Sequence, residues 1–182
     1  MWNEIQIQKH IETAQLLDRI KDEVFEYIKT NKNISEKELQ EFIIRKFKDN
    51  NLKHDKDKPI VAFNENSSKP HYFPAENSKI LIKDSLILID IWARLQNPKS
   101  PFADITWMGY YGDKVPEKIQ KTFEVVIKAR DSALDFIKNE LINNRVPIGK
   151  EIDGVAREII KKDGFDGKFL HGTGHSLGFT SP

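Results

Sequence analysis

The chain contains no cysteine, which removes disulfides, thiolate metal sites and cysteine nucleophiles together. Any metal has to be held by carboxylates and imidazoles. No apolar run reaches the roughly 20 residues that a membrane-spanning helix needs. The N-terminus MWNEIQIQKH carries charged and amide residues where a signal peptide needs an apolar core, so a cytoplasmic location is the expectation. An excess of one charge is missing too. Lys and Arg number 29 against 28 Asp and Glu, interspersed to a net +1, which gives no electrostatic case for nucleic acid or an acidic membrane surface. What is present is the composition of a folded protein, with 182 residues, 38% hydrophobic, three Trp and eleven Phe. That length suits one domain with a core of its own.

Apolar residues recur at helical spacing from about Asn3 to Thr30, with Ile7, Ile11, Ala14, Leu17, Val24 and Ile28 on the inner face. Ser35 followed by Glu38 predicts a capping-box start for a second helix whose inner residues are Leu39, Phe42, Ile43 and Phe47. KDNNLKHDKDKP reads as a solvated connector, and its His54 as a surface residue. The period then changes. PIVAF (59–63) reads as a strand, NENSSKP as a turn, LILID as a central strand buried on both faces, and FADITWMGYYG as its antiparallel partner. Pro116 suits the first residue of a long helix with Ile119, Phe123, Val126, Leu134, Ile137 and Leu141 inward. A loop and a shorter helix (Val155, Ile159, Ile160) follow, ending at Gly164. The glycines of GKFLHGTGHSLGFTSP forbid a stable helix and suggest a strand closely approached by other backbone. Helices flanking a mainly antiparallel sheet give an α+β fold.

Chemistry is concentrated in three places. Asp90 ends the apolar run LILID, where a carboxylate needs a cation or a hydrogen-bond network to offset its desolvation. If LILID and ADIT form one hairpin, Asp104 lies beside Asp90 on the same face, and two such carboxylates repel unless a cation sits between them. The alternative is a pair of strand-end carboxylates bound to backbone amides or a nearby Lys. His171 and His175 in HGTGH are four apart. Without a glutamate after His171 and with glycines between, this is no helical HExxH zinc site; on an extended strand, an even separation points both rings to one face. The run is not GxGxxG either, so a dinucleotide loop is a poor reading, and a glycine-rich turn with incidental histidines remains open. Third, His71 lies in KPHYFP between aromatic residues and prolines, where a packing histidine is the common case. Taken together, two aspartates, a later histidine and no cysteine suit manganese, iron, cobalt or zinc in an oxygen-rich site.

The order of these motifs resembles the pita-bread metallopeptidases, the family of methionine aminopeptidase, Xaa-Pro aminopeptidase, prolidase and creatinase. KPHYFP with His71 is similar to that family's PHY-like loop. KDSLILID with Asp90 resembles the strand closed by its first aspartate, and ADIT with Asp104 its DITR-like strand. LHGTGHSLG with His175 is similar to its HxxGHxxG histidine strand, and His171 resembles the extra histidine of the Xaa-Pro branch. ISEKEL is similar to the family's TE-x-EL helix start, so the likeness covers nearly the whole chain. The resemblance implies a curved pita-bread sheet in a single domain over 1–182 and a binuclear site. Asp90, Asp104 and His175 are implied as metal ligands, with Asp104 bridging, and His71 and His171 as catalytic residues. It further implies two divalent ions (manganese first, with cobalt, iron or zinc as alternatives), a short peptide substrate and hydrolysis near its N-terminus, an Xaa-Pro bond first. A homodimer is left open.

Three departures qualify the likeness. Asp90 and Asp104 are further apart than the family's usual spacing, so a longer hairpin tip is expected. Trp107 stands where the family has the DITR arginine, and the pair IDIWA and DITWMG resembles a minority branch of Xaa-Pro-like proteins. The family's last two metal ligands are glutamates beyond the histidine motif, whereas this sequence stops at Pro182. The expectation is therefore a domain lacking its last two metal-ligand strands and inactive alone. The alternative function is a catalytically inactive peptide-binding module on the same scaffold.

Overall fold

A computed structural model describes residues 2–97 and 99–182. The chain forms two compact units, Met1–Asp113 with Ser176–Pro182, and Lys114–His175.

In the first unit, α1 (Glu4–Thr30) and α2 (Glu36–Asp49) each begin at a capping box. Asn3 and Gln6 exchange side-chain and backbone hydrogen bonds, and so do Ser35 and Glu38. Each box satisfies two of the amides that a helix start leaves unpaired. The Ser35 hydroxyl and amide also hold the Glu38 carboxyl below the usual carboxylate range. Leu17, Ile20, Val24 and Ile28 of α1 meet Leu39, Ile43 and Phe47 of α2 in the main core, with Tyr27 stacked on Phe42 at 4.1 Å. The apolar stripe of α1 starts later than its spacing predicts, because Ile7 and Ile11 are exposed while Thr13 and Leu16 are buried. Periodicity marks a stripe but not where along the helix a partner surface begins.

Among the described residues four strands make the sheet: β1 (Leu52–Lys53), β2 (Ile60–Phe63), β3 (Ser85–Leu95) and β4 (Ala103–Tyr111). β3 is central and antiparallel to all three others, with β1 and β2 pairing successive parts of it. The supposed connector thus contains a short strand. Leu52 is buried opposite Leu95, and its apolar side chain holds a segment that looks wholly solvated by composition. NENSSKP is tighter than a turn: Asn64–Ser68 is a 3-10 helix. The β3–β4 tip spans residues 96–102, of which Pro98 lies outside the described residues.

The sequence reading of LILID as buried on both faces needs correction. Ile87, Ile89, Ile91 and Ala93 face the α1–α2 core, whereas Leu86, Leu88 and Asp90 are half-buried. Side chains alternate across a strand, and the helices cover one face only. The other face carries a smaller cluster of Ile60, Ala62, Trp92 and Phe102, with Leu88 and Tyr72 against it. Asp90 lies on that second face.

In the second unit, α3 (Glu117–Ile142) follows Pro116 and packs against α4 (Gly149–Lys162). The contact is made by Ala129, Ala133 and Ala156, with Ile152, Ile159 and Ile160 around them. Phe123, Val126, Leu134 and Leu141, read as inward, are exposed, and Ile119 and Ile137 are half-buried. Alanines let two helices approach closely, so the small-residue stripe took the contact that the bulky stripe seemed to own. Gly164, at φ +88°, closes α4 in the left-handed region that glycine tolerates.

Candidate functional site

Asp90 and Asp104 are brought together by the β3–β4 register. Asp90 is opposite Thr106 and Trp92 is opposite Asp104, so the two aspartates are diagonal cross-strand neighbours. Even spacing puts both on the sheet face away from the helices, and diagonal pairs in an antiparallel ladder lie roughly 7–8 Å apart, within reach of a shared ligand. Both are half-buried rather than turned into solvent. The Thr106 hydroxyl donates to Asp90 Oδ1 at 2.7 Å, fixing that carboxyl from the strand opposite. Trp107 belongs to the other face. Its ring carries the Lys21 ammonium 4.3 Å above its centroid, and that cation is also held by Asp18 at 2.7 Å and Asp22 at 3.0 Å. A residue that resembles a substitution for a site arginine is therefore a packing partner of α1.

His71 also belongs to the first unit, in the loop that follows the 3-10 helix. It is exposed and takes a left-handed φ of +54°, a conformation uncommon for a side chain with a Cβ. Its neighbour Tyr72 explains how the loop holds it there. The Tyr72 hydroxyl donates to Glu36 Oε2 at 2.6 Å, and Asn66 Nδ2 donates to both Glu36 oxygens and to the Tyr72 oxygen. Phe63 N and Lys79 N also donate to Glu36, at 2.6 and 3.1 Å. Glu36 is wholly buried. Its carboxylate thus gathers α2, β2, the 3-10 helix and both ends of the His71 loop. Partial burial, followed by the Glu36 hydrogen bond, pushes the Tyr72 phenol up to about 12. Sequence reasoning missed this residue: a glutamate just inside a helix start looks like a favourable dipole charge, and nothing local says that it is buried.

His171 and His175 belong to the second unit, and both are exposed. The segment around them is not the strand its glycines suggested. Residues 168–178 form no strand, since a ladder needs a paired neighbour along its length; nearby, Phe102 N donates to Gly178 O at 2.8 Å within the first unit. His171 Nδ1 lies 2.8 Å from the Gly172 carbonyl. A carbonyl only accepts, so Nδ1 carries the proton and Nε2 is the nitrogen left to address a ligand. Its ring meets Phe169 edge-on at 4.9 Å.

Tested against a metal, the aspartate pair fits: two carboxylates on one face, hard oxygen donors, one of them oriented by a threonine. Among the described residues no three His, Asp or Glu side chains gather as a complete cation cage.

Residues 8–181 match the profile of metallopeptidase family M24. The chain belongs to that family. Among curated M24-like relatives, an uncharacterized peptidase of Staphylococcus haemolyticus is 30% identical over 179 residues, covering 97% of this chain and 46% of its own. The Xaa-Pro dipeptidase of Pyrococcus furiosus is 31% identical over 119 residues, 65% of this chain and 31% of that one. Among solved structures, the X-Pro aminopeptidase of Thermotoga maritima superposes with a TM-score of 0.83 at 25% identity, over 98% of this chain and 47% of that one. The M24 pita-bread fold is thus present here, and the matches cover 46%, 31% and 47% of these three proteins' own lengths, less than half of each. No helix among the described residues is long and apolar enough to cross a membrane.

Proposed function

We propose that the complete protein is a metal-dependent exopeptidase that hydrolyses a bond near the N-terminus of short peptides, an Xaa-Pro bond first. The observation that carries this reading is the register placing Asp90 and Asp104 diagonally on one face of the β3–β4 hairpin, in a chain of a metallopeptidase family. The similarity to an Xaa-Pro dipeptidase and an X-Pro aminopeptidase supports the substrate class.

Asp90 and Asp104 would hold two divalent ions, manganese first, and His175 is the third ligand that the family resemblance implies. When bound, such ions supply Lewis acidity toward a carbonyl and lower the pKa of a water molecule. The other residues position the peptide. Thr106 keeps the Asp90 carboxyl aimed along the hairpin. His71 and His171 hydrogen-bond the peptide: His71 donates to it or to the oxyanion that develops on it, a contribution that aimed donors make strongly in acyl transfer, and His171, its Nδ1 proton engaged by Gly172 O, accepts from it through Nε2. The protein is proposed to act in the cytoplasm, with residues 1–182 as a pita-bread domain that lacks its last two metal-ligand strands.

Purified full-length protein, stripped with chelator and reloaded with manganese, cobalt, iron or zinc, should cleave Xaa-Pro dipeptides and N-terminal Xaa-Pro peptides, and should lose that activity without metal. Binding of such peptides with no cleavage under any metal would replace this reading with the peptide-binding module.

A further inference from the structure

We propose that Asp153 and Arg157, one turn apart on α4, are positioning residues that clamp the 169–173 segment and so set the backbone and ring of His171. The kinetic part of this inference rests on the peptidase reading; its structural part does not.

A glycine-rich segment outside any helix or strand still has to satisfy its backbone groups. Here two side chains of one helix do so. Arg157 Nη1 donates to Phe169 O at 3.0 Å and Nη2 to His171 O at 2.6 Å. Asp153 Oδ1 accepts from both the amide and the hydroxyl of Thr173, each at 2.9 Å. The two clamping residues are tied to each other, Arg157 Nε donating to Asp153 Oδ2 at 2.5 Å. The bonds bracket His171: one on its own carbonyl, one two residues before it and a pair two residues after.

The clamp also reaches the imidazole. The Arg157 guanidinium lies over the Phe169 ring, 4.6 Å from its centroid, and the edge contact between Phe169 and His171 continues the stack. A planar cation that forks to two carbonyls while stacking on an aromatic face uses what arginine has and lysine lacks. An ordinary i,i+4 surface ion pair would leave the guanidinium pointing along the helix; this one turns outward to a segment twelve to fourteen residues further on. The Arg157 hydrogen bond and the Thr173 amide together hold the Asp153 carboxyl below the usual carboxylate range, in keeping with an acceptor in constant use.

The test uses the full-length protein and four variants: Asp153→Ala, Arg157→Ala, Arg157→Lys and, as a control on the outer face of α3, Glu124→Gln. Amide hydrogen exchange at Thr173 should be slow in the parent protein and fast in Asp153→Ala, and the His171 carbonyl ¹³C resonance should shift in both Arg157 variants. In metal-loaded protein both Arg157 variants should lower kcat by about 10–100-fold, the usual effect of removing a residue that orients a site group. KM should change far less, melting curves should stay near that of the parent, and added methylguanidinium should restore part of the kcat of Arg157→Ala. Full activity in Arg157→Lys, or unchanged exchange at Thr173 in Asp153→Ala, would overturn the clamp. Should the parent protein show no peptidase activity, the function proposed above fails, and the exchange and ¹³C measurements still decide the clamp.

Discussion

Replacing Glu36 with alanine tests whether one buried carboxylate organises the His71 loop. The substitution removes the acceptor of four donor groups: Phe63 N, Asn66 Nδ2, the Tyr72 hydroxyl and Lys79 N. Phe63 and Asn66 are 0% and 6% exposed, so water does not easily replace the lost oxygen there. An unsatisfied buried donor costs about 1–3 kcal/mol, which gives about 2–6 kcal/mol for those two. Tyr72 and Lys79 are half-buried, and water compensates them in part. Relief of the carboxylate's own desolvation offsets some of the loss, as it does whenever a buried charge is deleted. The expected net destabilisation is about 3–5 kcal/mol. Glu36→Gln keeps the volume and one acceptor, and the Tyr72 hydroxyl can turn to accept from the new NH₂ group. The Lys79 amide then faces another donor, so about 1–3 kcal/mol should remain. Denaturant unfolding at neutral pH should show the midpoint falling in the order parent, Gln, Ala, with an unchanged slope. An alanine variant within about 1 kcal/mol of the parent would refute the reasoning, because Glu36 would then be a bystander in its own network.

Alkaline pH should loosen the same loop. The Tyr72 phenol stands at about 12 when folded against about 10 in an unfolded chain. A raised folded pKa contributes stability that is fully present below pH 10 and is lost as pH rises toward 12, because the unfolded state sheds its proton first. Ultraviolet titration should find a tyrosinate forming near pH 12 that is lost in Tyr72→Phe; an unchanged titration curve at that pH in Tyr72→Phe would contradict the burial. Gly109→Ala should destabilise by about 1–3 kcal/mol through overpacking, since a Cβ there would come within 2.5 Å of the Phe25 ring of α1. Thermal melting measures this, and an unchanged midpoint would mean that Phe25 swings aside freely.

Local chemistry was legible wherever it decides structure within a few residues. The Ser35–Glu38 box marked the start of α2, and the apolar run LILID followed by the ADIT segment marked β3 and β4 as antiparallel partners with Asp90 and Asp104 on one face. What stayed hidden depends on which partner arrives. The α3 pattern offers a bulky stripe and an alanine stripe, and only the position of α4 selects the second. The strand reading of HGTGH failed because strand status belongs to a pair of segments and not to one. Glu36, Asp153 and Arg157 look like ordinary helix-surface charges, since a side chain's long-range acceptors leave no local trace.

The proposed peptidase chemistry depends on Asp90 and Asp104 acting as a pair toward divalent cations. Metal content of the full-length protein after dialysis against manganese, compared with Asp90→Asn and Asp104→Asn, tests this most directly. The expected result is stoichiometric metal in the parent protein and affinity weakened about tenfold or more in each variant, with both variants still folded. Equal metal content in all three proteins would contradict it.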